Sequence, residues 1–374
     1  MIELPILQNA DAQSWIPPQV KSIRRTTRKV WVGSVPVGGD APISVQTMTK
    51  TKTADIRATL DQISAAVDAG CDIVRVTVND KDAAAAMREI VKESPIPIVA
   101  DIHFNHVFAL EALKAGVAKV RINPGNIGST DRIHQVLRSA KERGVPIRIG
   151  VNSGSLEEDI LEKHGYPTPE ALFESAMRHA ELCEDFGFSD VIISVKSTDT
   201  RLMIEAYRYI AERTDYPLHL GVTEAGTTRV GTIKSAVGIG ALLAEGIGDT
   251  IRVSLTDEAH KEVEVGKEIL RSLGLASRNV EIIACPTCGR LEVDLFSITN
   301  ELEERLAGLK KPLKIALLGC VVNGPGEASE ADIGIAAGKG VGILYRNGEV
   351  VRRLKEEEII DAVYEEALKF VPKE

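Results

Sequence analysis

Three cysteines toward the C-terminal end are spaced for metal chemistry. Cys285 and Cys288 stand in Cys285-Pro286-Thr287-Cys288-Gly289-Arg290, and Cys320 follows in Gly319-Cys320-Val321-Val322-Asn323-Gly324-Pro325-Gly326-Glu327. Both stretches come directly after a short apolar run that reads as a strand, so one small domain can bring the three sulfurs together. A C-x-x-C after a strand fits a thioredoxin-like dithiol, but that leaves Cys320 and its glycines without a purpose. Structural zinc takes four Cys or His ligands, and no histidine follows His260. An iron–sulfur cluster held by three thiolates, its fourth position a carboxylate or open, accounts for all three thiols, and soft sulfur ligands suit it. Cys71, at the start of a strand, and Cys183, on an amphipathic helix, read as core residues.

A second signal is a set of cations placed beside branched apolar residues. They occur in Val74-Arg75-Val76-Thr77, Val120-Arg121-Ile122-Asn123, Ile147-Arg148-Ile149 (with Asn152 in the loop beyond), Ser194-Val195-Lys196 and Ile251-Arg252-Val253-Ser254. One such cation could snorkel to water or pair with a neighbour. Five of eight strands carrying one near the same end require negative charge. Carboxylates at matching positions are few, Asp101 and Glu224, so the ligand is expected to supply the balance. Two or more phosphate groups would do so through paired charged hydrogen bonds, each worth about 1.5–3 kcal/mol. The glycine-bearing loop over 123–130 would turn backbone N–H groups toward the same anion. The remaining polar groups there are Asp101, His103, Thr223 and Glu224. A carboxylate among cations can move a proton or merely hold the arginines. Glu224, in the small-residue loop 222–226, is the better acid–base candidate.

The elements that must position these residues repeat along the first two-thirds of the chain. A helix ends in glycine (Gly70, Gly116, Gly144, Gly187, Gly246) and a Val/Ile-rich strand follows within a few residues. Glycine suits the left-handed position just past a helix end. With three further runs the strands number eight: 43–46, 72–76, 96–100, 119–122, 147–149, 191–195, 218–222 and 250–253. Eight βα units predict a TIM (β/α)8 barrel, with an open doubly wound sheet as the competitor. Residues at about 30–42 predict a β-hairpin plugging the barrel floor. The pattern stops after 273, and 274–279 reads as a linker. Residues 280–374 then predict a small α+β domain with helices over 291–307 and 356–370 and a loop around Gly324.

The 374 residues suffice for a barrel of about 250 residues and one small domain. The net charge of −9 argues against nucleic acid as the main partner. Residues 1–20 lack the basic start and apolar stretch of a secretory signal, and no run of about 18 apolar residues occurs. Five cysteines without an export signal read as thiols or metal ligands. The expectation is a cytoplasmic enzyme with no membrane or nucleic-acid partner.

In combination these pieces resemble the 4-hydroxy-3-methylbut-2-enyl diphosphate synthases of the non-mevalonate isoprenoid pathway, in their bacterial form. The resemblance runs in order through V-Q-T-M-T, V-R-V-T, R-I-N-P-G-N, R-I-G-V-N-S-G-S, G-V-T-E-A-G, C-P-T-C-G-R and G-C-V-V-N-G-P-G-E and covers nearly the whole chain. It implies a TIM barrel followed by an iron–sulfur domain of ferredoxin- or sulfite-reductase-like type. It also implies a [4Fe–4S] cofactor on Cys285, Cys288, Cys320 and Glu327, the carboxylate being displaced by substrate. The implied substrate is 2-C-methyl-D-erythritol 2,4-cyclodiphosphate, opened reductively with two electrons. Arg75, Arg121, Arg148, Lys196 and Arg252, with Asn152, Ser194 and Ser254 beside them, match the diphosphate-binding positions. Asp101, His103 and Asn123 complete the expected substrate contacts, and Glu224 matches a carboxylate proposed for proton transfer. Flavodoxin or ferredoxin would deliver electrons. The expected assembly is a homodimer with the cluster domain of one subunit over the barrel of the other. The competing reading is a phosphometabolite-binding barrel carrying a structural metal or thiol-switch domain.

Overall fold

The computed structural model describes residues 24–122, 129–276, 280–309, 311–320 and 322–371, in two compact units that divide between Leu275 and Ala276. The first opens with an antiparallel hairpin, β1 (Val30–Val32) and β2 (Val35–Val37). Eight parallel strands follow: β3 (Ser44–Met48), β4 (Ile73–Thr77), β5 (Ile98–Asp101), β6 (Lys119–Ile122), β7 (Ile147–Asn152), β8 (Val191–Lys196), β9 (His219–Leu220) and β10 (Thr250–Ile251). They pair in the order β8-β7-β6-β5-β4-β3-β10-β9, and a parallel bridge between Ile193 and Leu218 joins the two ends into a barrel. The five glycines expected at helix ends all have positive φ, from 63° at Gly144 to 92° at Gly116. There a side chain would be strained.

Strand residues alternate between wall and interior. Val45, Ile251 and Val253 point outward, because the Cβ that Gly266 lacks would lie 2.9, 3.6 and 3.8 Å from them on helix Ala259–Ser272. Their neighbours Ser44, Gln46, Thr250 and Arg252 therefore face inward. At the floor the hairpin residues Val30, Val32 and Val37 pack on Ile73, Val99 and Ile192, a dry layer that closes the barrel from below.

Two expectations change in the barrel. Strand β7 extends three residues past Ile149, so Asn152 is its last residue and does not lie in the loop beyond. Arg148 is its second residue and stands well below the rim, buried to 1% exposure.

The second unit holds a five-stranded sheet in chain order: β11 (Glu281–Ala284), β12 (Lys314–Leu318), β13 (Ile333–Gly338), β14 (Val341–Arg346) and β15 (Glu349–Lys355). The first three strands are parallel and the last two antiparallel. Helices Leu295–Leu306 and Ile359–Lys369 bury one face through Ile298, Leu302 and Val363 against Ile315, Leu317 and Leu344. The first of these starts at Leu295, later than the 291 expected, because the Asp294 side chain caps it by accepting from Ser297 N at 3.1 Å. The expected loop around Gly324 is a short helix, Gly324–Ser329, with Pro325 in its first turn, and Ala328 packs beside Ala336 on the other face. Among the described residues no helix is long and apolar enough to cross a membrane.

Candidate active site

The inward rows of the barrel carry six cations, Arg75, Lys119, Arg121, Arg148, Lys196 and Arg252, where most barrels stack branched aliphatics. Asp101 is the hub of the group. It sits opposite Arg121 in the β5–β6 register, and Arg121 sits opposite Arg148 across β6–β7. Arg121 Nη1 donates to Asp101 Oδ1 at 3.1 Å, Arg75 Nε stands 3.6 Å from Oδ2, and His103 Nε2 stands 4.0 Å from it. Burial alone would raise the Asp101 carboxyl; the field of Arg75, then Arg121 and Arg148, overcomes this and holds it well below the usual range. Asp101 is thus a fixed anion that aims two arginines. Burial also lowers Arg75, to about 10, although Asp101 opposes the shift.

Arg252 departs from expectation. Its Nε and Nη2 donate to Glu262 Oε2 and Oε1 at 3.1 and 3.0 Å, a bidentate pair, while Nη1 donates to Ser254 Oγ at 2.9 Å. Glu262 is fully buried and also accepts from Thr47 Oγ1 and Leu255 N. Asp101 is a carboxylate among the cations as expected, but Glu262 is a second one that the strand ends do not reveal, because it lies on a helix. One signal was available. In the buried stripe of that helix, Ala259, Glu262, Val263, Gly266, Ile269 and Leu270, a charge stands where an apolar residue belongs.

With Asp101 and Glu262 taken, Arg148 and Lys196 have no carboxylate within ion-pair distance among the described residues. They are 1% and 7% exposed, and Arg148 Nε and Nη1 lack partners. Burial, then the charges of Arg148, Arg75, Arg252 and Arg121, pushes the Lys196 ammonium well below its ordinary range. Arg148 is pushed the same way by burial, then Arg75 and Arg121. A guanidinium keeps its proton in a folded protein, so at Arg148 the strain is electrostatic and an anion relieves it. Lys119 lies deeper on β6, fully buried, with Nζ 3.3 Å from Gln46 Oε1; it is a cation that reading the strand ends missed. His219, also fully buried with both ring nitrogens unpartnered, was missed because a lone histidine in a strand carries no spacing signal.

The other predicted residues fall into two groups. Ser194, 1% exposed, lies opposite Gly150, and Asn152 lies opposite Lys196 across β7–β8, so both border the cations. His103 and Glu224 are more open. Glu224 is exposed in the loop after β9 and holds a left-handed φ of 51°, unusual for a residue with a side chain. Asn123 and most of the loop 123–130 lie outside the described residues.

In the second unit, β11 and β12 are adjacent and parallel, with Ala284 opposite Leu317, so Cys285 and Cys320 follow the C-terminal ends of the two strands, at the same end of the sheet. Gly319 N donates to Cys285 Sγ at 3.5 Å, and a Cβ on Gly319 would strike Leu291 at 2.3 Å. Cys288 is exposed, and hydrogen bonds from the Arg290 backbone and side chain lower its thiol. Glu327 is exposed on the short helix that follows Cys320. Among the described residues no three such side chains converge as ligands of a single ion do. The thiolates of a four-iron cluster each bind a different iron, so its ligands stand around it and do not meet at a point. Cys285 and Cys320 at the same end of two paired strands, with Cys288 three residues after the first and a backbone N–H on the Cys285 sulfur, are soft donors of the kind that group takes, although among the described residues the thiols do not cluster. Cys71 and Cys183, by contrast, are buried in the barrel unit, and burial pushes both thiols up to about 12.

Comparison with known proteins agrees with this division. Residues 27–267 match the GcpE TIM-barrel domain and residues 281–369 the GcpE protein C-terminal domain. The chain is 56% identical over 338 residues to a Clostridium perfringens protein named 4-hydroxy-3-methylbut-2-en-1-yl diphosphate synthase (flavodoxin), covering 90% of this chain and 97% of that one. A Geobacter sulfurreducens protein of the same name is 53% identical, covering 93% and 99%. Among solved structures, Plasmodium falciparum HPPK-DHPS aligns with 66% of this chain and 48% of its own at a TM-score of 0.50 and 12% identity, a likeness of fold alone.

Proposed function

This chain belongs to the GcpE family, and on that premise we propose that it converts 2-C-methyl-D-erythritol 2,4-cyclodiphosphate to 4-hydroxy-3-methylbut-2-enyl diphosphate. In this reaction two electrons enter, the ring C–O bond opens and a hydroxyl leaves as water. The observation that carries the reading is the pair Arg148 and Lys196, buried without a carboxylate among the described residues. A diphosphate supplies the two negative charges they lack.

Arg75, Arg121, Arg148, Lys196 and Arg252 would hold the diphosphate, with Asn123, Asn152, Ser194 and Ser254 completing its hydrogen bonds. Asp101 keeps Arg75 and Arg121 aimed, and His103 borders the same group. Holding both phosphates leaves the substrate carbon chain one orientation, which confines reaction to a single carbon. Glu224, exposed beyond β9, is the group free to move a proton to a departing oxygen. Cys285, Cys288, Cys320 and Glu327 would hold a [4Fe–4S] cluster. When bound, the cluster supplies the electrons and a Lewis-acidic iron where carboxylate replaces thiolate. A flavodoxin or ferredoxin would deliver those electrons to a cytoplasmic enzyme. The assembly we infer is a homodimer in which the cluster domain of one subunit covers the barrel of the other.

Anaerobic protein should contain about four irons and four sulfides per chain, with broad visible absorption. Cys320→Ser should lose that absorption and turnover together, and Glu327→Ala should keep the iron while changing the paramagnetic signal of the reduced protein. Uptake of zinc without iron or sulfide would favour a phosphometabolite-binding barrel with a structural metal domain.

A further inference from the structure

We infer that Gly150, on β7, is a positioning residue for diphosphate: the side chain it lacks is the space the Arg121 guanidinium occupies. The inference rests on the proposed diphosphate site and goes beyond it by naming a residue that touches no ligand.

Gly150 faces the barrel interior, alternating with Arg148 and Asn152 along β7 and lying opposite Ser194 on β8. A Cβ there would stand 2.6 Å from Arg121 Nε, 3.0 Å from Nη2 and 3.2 Å from Cζ. The guanidinium lies directly over this position. Its Nη1 donates to Asp101 Oδ1 at 3.1 Å, and its Nη2 stands 3.4 Å from Gly150 O. Backbone conformation does not call for glycine, because Gly150 is not among the residues with positive φ. Glycine within a strand is also unfavourable, both in chain entropy and in packing, so its presence points to close approach by another group. The three nearest atoms all belong to Arg121, so its guanidinium is the group that comes close. Gly221 differs. Its Cβ would lie 3.2 Å from Lys196 Nζ, but also 2.6 Å from the Arg252 carbonyl, so backbone packing already accounts for it.

The closest collision of an alanine at 150 would be with the far end of a flexible side chain. The fold would absorb the change by moving the guanidinium, and the diphosphate would lose a well-placed partner.

The test is calorimetric binding of 2-C-methyl-D-erythritol 2,4-cyclodiphosphate to anaerobic, cluster-loaded protein without reductant. Gly150→Ala should weaken binding roughly tenfold to a hundredfold, the worth of one charged hydrogen bond, with its thermal midpoint and visible absorption unchanged. In an Arg121→Lys background, where no guanidinium is left to displace, the same substitution should change affinity by less than about twofold, as expected for coupled positions. Wild-type affinity in Gly150→Ala overturns the proposal, as does an equal further loss in the Arg121→Lys background. A lowered thermal midpoint would make Gly150 structural and also overturn it. If the unaltered protein does not bind the cyclodiphosphate, the reading of the site fails first, and the two failures are distinct.

Discussion

Glu262 decides how much of Arg252 is left for a ligand. Its two oxygens take Arg252 Nε and Nη2, and only Nη1, now on Ser254, points elsewhere. A buried carboxylate holding a guanidinium bidentately is tolerable only while both partners remain. Glu262→Gln leaves the part-buried Arg252 half-paired, and barrel stability measured by denaturant unfolding should fall by about 3 kcal/mol. Saturating cyclodiphosphate should restore part of that loss, because it returns negative charge to Arg252. An unchanged unfolding midpoint would mean that Arg252 relaxes to water and that the pair is not structural. Arg148 and Lys196 present the opposite case, cations with no such partner among the described residues. The strand sequences make the cations themselves legible. They do not show which are already neutralised, because Glu262 is ten residues from Arg252 in sequence and meets it only in the folded barrel.

At the scale of elements, the alternation of glycine-ended helices with Val/Ile runs was sufficient to read the barrel, because both signals are local: a left-handed turn and a buried strand. Depth was not legible. Arg148 reads as a strand-end residue in Ile147-Arg148-Ile149, yet β7 continues through Gly150 to Asn152 and leaves it below the rim. Gly150 looks like a strand terminator, and pairing with β8 overrides that preference. The short helix Gly324–Ser329 was hidden for a similar reason: Gly-Pro-Gly reads as a loop, while packing of Ala328 against Ala336 makes it helical. The hairpin follows from alternating valines, and its role as a floor can be tested. Val32 is fully buried among Val30, Val37, Ile73, Val99 and Ile192. Val32→Ala removes two methyl groups there and should lower stability by about 2 kcal/mol. Affinity for the cyclodiphosphate should not change, since the floor supports the barrel without touching the mouth. A large loss of affinity at unchanged stability would instead make the hairpin part of the binding surface.

Across the whole molecule the charge is arranged against its average: the chain carries −9 overall, while the barrel interior concentrates cations. That arrangement links binding to protons. Burial, followed by Arg148 and Arg75, holds Lys119 well below the ordinary lysine range, and Lys196 is held down in the same way with Arg252 and Arg121 adding to the effect. The unfolded chain has ordinary lysines, near 10.4. Between the depressed values and that one it binds protons that the ligand-free fold does not, so stability without ligand should rise with pH across this window. A bound diphosphate reverses the balance at Lys196 by favouring the ammonium. Binding should therefore take up as much as one proton, and affinity should fall as pH rises through the window, by at most about tenfold per pH unit. The ligand does not contribute to this trend, because each phosphorus of the cyclodiphosphate bears a single strongly acidic oxygen that is ionised throughout. Calorimetry in two buffers of different ionisation heat, at about pH 7.5, should give binding heats that differ by the proton taken up. Equal heats, with affinity flat between about pH 7 and 9, would mean that Lys196 is already charged in the empty barrel and that its neighbours, not its proton, make room for the anion.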